Sequence, residues 1–154
     1  MSVKRATLVA LLTAGLVVGV IAVASGSPGS GFTSTLIARA QSGHITVVQH
    51  KGNDVITAQN HDDPGGFTGW HSHPGIAVIA LQAGEVTMYS EPVGGGKCST
   101  HTYSAGQVFL ELPNDEENIV NTGGVPAVAG ATFFNVPHGE PAFIDRPDPG
   151  DCPG

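Results

Sequence analysis

Glycine and proline interrupt this chain too often to leave room for long helices: 22 glycines and 11 prolines stand among 154 residues, and only 12% of residues are charged. In a helix interior a glycine costs about 1 kcal/mol and a proline about 3 kcal/mol relative to alanine. The pattern therefore selects short strands joined by tight turns. The segments between the breaks agree with that reading. TSTLIARA (33–40), HITVVQH (44–50), DVITAQN (54–60), GIAVIALQAG (75–84) and EVTMYSEP (85–92) are short apolar or alternating runs. FTGWHSH (67–73) begins a further strand, and STHTYSAG, QVFLELP, NIVNTGG and PAVAGATFFNVP complete the series. About ten strands with no helix beyond the N-terminal segment predict an all-β sandwich or closed barrel.

The N-terminus follows a different logic. MSVKR is positively charged, and residues 6–24 form an uncharged apolar run ending in Ala22-Val23-Ala24, a small-residue cleavage pattern. The run is longer than an ordinary signal core and about long enough to span a bilayer as a helix. Residues 1–24 are thus expected to be a signal peptide or a membrane anchor, and 25–34 a flexible linker. Either way the rest of the chain is placed outside the cytoplasm, secreted or held at the outer face of the membrane.

Two further observations narrow the function. The formal net charge is −7, and every acid lies at or after Asp54. With no basic cluster beyond the N-terminus, nucleic acid is excluded as a partner, and membrane contact is expected only through an uncleaved N-terminal segment. Cys98 and Cys152 are the only cysteines. In an exported chain an even count predicts a disulfide, tying the tail at 146–154 to the middle of the domain.

The chemistry is concentrated in GWHSHPG at 69–75. On a strand, residues two apart face the same side, so His71 and His73 present both imidazoles together. Such a pair suits a divalent transition metal. Gly65, five intervening residues, His71 and His73 resemble the first motif of the cupin family, and Gly84 matches its closing glycine. Ala77 and Val78 occupy the positions where that motif carries a glutamate. The second motif is matched by Gly106, Asn121 and Gly123, with Leu112 and Asn114 where Pro and Gly are usual and Glu117 in place of the histidine.

The resemblance implies a single cupin (jelly-roll) β-barrel over 35–145, of the kind found in small exported bacterial proteins. It implies a metal set of His71, His73 and Glu117 for Mn, Fe, Ni, Cu or Zn, and a small-molecule ligand or substrate. A homodimer stays open, and no catalytic residue is assigned. The alternative is an extracytoplasmic binding barrel with neither metal nor chemistry. Glu111, in VFLEL, is either a further ligand or an outward-facing acid, and strand alternation favours the outward placement. His61 is expected at a strand end, capping the turn or exposed, His44, His50, His101 and His138 at the surface or in satisfied positions, and Trp70 outside the barrel.

Overall fold

The computed structural model of the protein describes residues 36–150 and Cys152; the export segment and linker expected at 1–34 lie outside the described residues. Nine strands are present: β1 (Asp54–Asp62), β2 (His71–Ser72), β3 (Ala77–Ala83), β4 (Glu85–Glu91), β5 (Ser99–Ser104), β6 (Val108–Glu111), β7 (Glu116–Val120), β8 (Ala127–Val136) and β9 (Ile144–Asp145). Among the described residues there is no helix. The strands form two antiparallel sheets, ordered β1-β8-β3-β6 and β5-β4-β7-β2-β9.

Alternation explains how the two sheets enclose one core. On β3, Ala77, Ile79 and Leu81 are buried while Val78 and Ala80 are half-buried, and β8 repeats this with Ala127, Ala129, Ala131 and Phe133. Val86, Phe109 and Ile119 join the same cluster. Burying side chains of this size contributes roughly 1.5–3 kcal/mol each for the larger ones, which makes the inner faces the main source of stability.

The turns fit their residues. Gly84 follows β3 with φ +78°, and a Cβ there would sit 2.7 Å from the Ala127 backbone, so both conformation and space demand glycine. Asn114 stands where the resembled motif carries glycine, and it too adopts a left-handed φ of 63°. Asparagine tolerates that region better than other residues with side chains.

The two strands expected at 33–40 and 44–50 do not form over the described residues. Only an isolated bridge joins Gln41 to Gln107. Ala38 instead lies against the outer surface of β8, where a Cβ on Gly130 would meet it at 2.9 Å. Farther along, the Asn135 N–H donates to Gln49 Oε1 at 2.9 Å, the Asn135 amide donates to the Val48 carbonyl, and Gln49 Nε2 donates to the Asn53 carbonyl at 3.0 Å. Ala38, Ala40 and Ile45 are half-buried, whereas Leu36, Ile37, Val47 and Val48 stay exposed, so these segments lie over the sheet without the pairing expected of them.

Cys98, in the loop between β4 and β5, is bonded to Cys152, and their Cα atoms are 5.3 Å apart. The bridge holds the tail against the sheet that contains β2. Replacing both cysteines with serine opens a link across a sequence separation of 54 residues. Urea unfolding followed by circular dichroism should register a loss of about 4 kcal/mol in the chain-entropy account. An unchanged midpoint would mean that the tail is held by its noncovalent contacts alone.

Candidate metal centre

His71 opens β2 and His73 follows its last residue directly, and both histidines are buried, at 2% and 1% exposure. Their ring centroids are 4.8 Å apart in an edge-to-face arrangement. Each Nδ1–H donates to a backbone carbonyl, His71 to Gly69 at 2.8 Å and His73 to Ala142 at 2.7 Å. A carbonyl can only accept, so these bonds fix the tautomer and leave both Nε2 lone pairs free, the arrangement that orients histidine toward a metal. Burial holds the His71 imidazole below its ordinary pKa, which keeps the ring neutral. Ser72 faces the other way and accepts a hydrogen bond from Arg146 Nε at 2.9 Å.

Glu111 is the third participant. Its carboxyl is buried at 3% exposure, with Oε2 2.8 Å from His73 Nε2. That approach has the distance of an ion pair without the direction of a hydrogen bond, since Nε2 has no aligned partner. Two acceptor atoms this close repel unless a proton or a metal ion lies between them. One ligand atom each from His71, His73 and Glu111 lies within 4.8 Å of the others.

The outward placement expected for Glu111 is therefore corrected. Alternation in VFLEL puts Val108, Leu110 and Leu112 on one face and Phe109 and Glu111 on the other, and an acid on a half-buried strand is expected to take the outer one. Phe109 enters the core instead, at 4% exposure, and carries Glu111 in with it. The segment Ser42–Ile45 lies beside Val108, Leu110 and Leu112, which lets that face be apolar on the outside.

Register shows what Glu111 replaces. Ala77, at the first-motif glutamate position, pairs directly with Glu111 across β3 and β6 and is fully buried. Opposed residues have Cβ atoms about 5 Å apart. The carboxyl absent from β3 is delivered by the neighbouring strand, and the small Ala77 leaves it room.

Glu117 pairs with His71 across β2 and β7 and is buried at 1% exposure, with Oε2 lacking any partner. It shares the inward face of β7 with Ile119, so its side chain points into the barrel. It nevertheless stands outside the converging set of His71, His73 and Glu111. Burial, and then the charge of Glu111, push its carboxyl up to about 9, against an opposing backbone hydrogen bond from Leu112.

Asn121 ends the second motif in a purely structural role. Its amide donates to the carbonyls of Asp62 and Val125, and its Oδ1 accepts from the Gly123 N–H.

The tail adds residues that no sequence signal singled out. β9 pairs with β2, with Asp145 opposite His71. Ala142 supplies the carbonyl for His73, and the Phe143 ring lies 4.7 Å from His71 and 4.9 Å from His73. Trp70 is buried at 8%, with its carbonyl held by the Arg146 N–H. His61 and His138 are exposed beside Asp63 and Asp54, as expected for surface histidines, and the His101 ring packs on Tyr103.

No family model matches the chain, and no curated protein matches it. Solved structures do. An oxalate oxidase superposes with a TM-score of 0.52 at 22% identity, over 59% of this chain and 45% of that one. An oxalate decarboxylase of Lactobacillus farciminis, solved as a formate complex, gives 0.53 at 20% over 60% and 27%. The Bacillus subtilis oxalate decarboxylase, whose Mn(II) centres have been studied by EPR, gives 0.53 at 22% over 60% and 24%. This chain thus spans less than half the length of each. At this identity the likeness defines a class by fold, and the class is the cupin barrel. Over the described residues the protein is all-β and forms one such barrel.

Glu117 provides a pH test on chelator-treated protein. Its folded pKa lies above the ordinary value of 4.5, so the unfolded chain releases the proton first as pH rises. Stability from this group is present below about 4.5 and is lost progressively toward about 9. Urea midpoints should fall across that window in the wild type, and Glu117→Gln should flatten the fall. Parallel profiles would show that the carboxyl is not buried in solution.

Proposed function

We propose that this protein is an extracytoplasmic cupin that binds one divalent transition metal (Mn, Fe, Ni, Cu or Zn) through His71, His73 and Glu111, with a position left open for a small molecule. Glu117 stands beside this set as a further carboxyl. The observation that carries the reading is the convergence of three buried ligand atoms, with both Nδ1–H groups committed to carbonyls and both Nε2 atoms without an aligned partner. Two histidines and one carboxylate with free positions are the ligand set of open non-haem iron and catalytic zinc sites. The Mn(II) centres of a fold neighbour make manganese a natural first ion to offer.

The extracytoplasmic part of the reading has its own support. A disulfide between the only two cysteines suits an oxidising compartment. We assign 1–24 to export, by cleavage after Ala24 or by retention as an anchor, and 25–34 to the linker that follows.

Metal analysis of the domain, purified without chelator and offered each of the five ions, tests the proposal. Near-stoichiometric uptake is expected. His71→Ala, His73→Ala and Glu111→Ala should each weaken binding at least tenfold, by loss of one of three ligands. Glu117→Ala should have a smaller effect, and Glu116→Ala, whose side chain faces Arg146 outside, should have none. Uptake of none of the ions would leave a metal-free binding barrel as the function.

A further inference from the structure

The backbone on either side of Phe143 is tied to β2 and the residues beside it. The Ala142 carbonyl accepts from His73 Nδ1 at 2.7 Å, Ile144 and Asp145 pair with Ser72 and His71, and the Arg146 N–H donates to the Trp70 carbonyl at 2.9 Å. The Phe143 ring has no such tether. It packs on His71 at 4.7 Å, on His73 at 4.9 Å and on Phe133 at 5.4 Å between ring centroids, and 39% of the residue is exposed. It also lines the interior cavity that His71 and Glu111 share. A side chain that touches that cavity and solvent at once is the wall between them. Turning it about χ1 breaks aromatic packing and no backbone hydrogen bond.

The other way in is long and closed. Asn60 and Asp62 line the far end of the same cavity. On β8 Asp62 stands opposite Ala127, whereas Ala77, the partner of Glu111, stands opposite Phe133. That difference in register amounts to roughly 20 Å of strand. Along it stand Ile79, Leu81, Phe109 and Ile119, each no more than 7% exposed. The room open to the centre of a water molecule is about 20 Å³, enough for one or two water-sized groups. Nothing larger than water passes that way without repacking the core, whereas at the metal end a single ring intervenes.

We infer that Phe143 is the gate of the metal centre: a small molecule, and the ion itself, reach His71 and Glu111 by displacing its ring and not along the length of the barrel. The inference rests on the metal reading above and adds the residue that controls entry to that same site. Phe143 offers no ligand atom, so its effect is on the rate of entry, through the histidine rings it covers.

The test reads access to His71 before any metal is added. Chelator-treated protein is exposed to diethyl pyrocarbonate, which acylates an imidazole nitrogen only where it can reach it, and the modified histidines are located by peptide mass spectrometry. Exposed His61 serves as the internal reference. In the wild type His71 should react far more slowly than His61. Phe143→Ala should speed the reaction of His71 by about tenfold or more, since three aromatic ring contacts no longer hold the wall shut, and Phe143→Leu should fall between. Asn60→Phe, which fills the far end, should change nothing. Amide hydrogen exchange over 69–73 and 142–146 should stay as slow in both Phe143 variants as in the wild type. If Phe143→Ala loses that protection, Phe143→Leu alone decides, and loss in both overturns the gate, because the ring then holds the segment in place. An unchanged His71 rate in a variant that keeps its protection also overturns it, and so does a rate slowed by Asn60→Phe. Loading with manganese or zinc should then shield His71 in the wild type and in Phe143→Leu. Failure of every ion to shield it removes the metal reading and leaves the gate before the histidine pair in place.

Discussion

The pairing register of β3 is the constraint on which the rest of the site depends. This strand lies between β8 and β6, and Ala77 is opposed by Phe133 on one side and Glu111 on the other. Because side chains alternate strictly, a slip of one residue would turn Glu111 to the outside and bring Leu110 in. Ile79, Leu81, Phe109 and Phe133, all buried, make that slip expensive, since it would expose the apolar side chains that hold the two sheets together. The position of one carboxyl is thus enforced by the packing of several hydrocarbons.

The histidines depend on a second and quite different support. β2 is only two residues long and is paired with β7 on one side and β9 on the other. Its hold on His71 and His73 is completed by the tail, through the Ala142 carbonyl, the Phe143 ring, and Arg146 bonded to Trp70 and Ser72. The disulfide closes the far end of that tail. The tail both orients one imidazole and roofs the site, so a segment remote in sequence controls which atoms are free and how much room lies before them.

These two supports produce a site with a particular electrostatic character. Carboxyls are brought to the histidines by register, while the cationic side chains of the described residues stay outside the cavity. The shared barrel carries no information about this, because ligand preference resides in the residues grafted onto it. The oxalate enzymes and this protein have the strand arrangement in common.

From the sequence alone, the all-β class, most strand positions, the inward-facing histidine pair and the cysteine partners were legible. Each rests on local rules: turn residues, alternation over a few positions, and the scarcity of cysteine. Glu111 was legible only as one of two alternatives, a further ligand or an outward-facing acid, and its inward turn beside the histidines was not. VFLEL offers its larger aliphatic surface on the face that turns outward, where Ser42–Ile45 lies beside Val108, Leu110 and Leu112. The stretch 44–50 read as a strand from its alternation, yet Val47 and Val48 stay exposed and no partner strand meets it. Ala142 and Phe143 were invisible for a related reason. A backbone carbonyl has no sequence signature, and an aromatic in a tail gains meaning only when the chain folds back over the site. The sequence determined which chemical groups this protein owns, and the long-range packing of β3, β6 and the tail decided which of them meet.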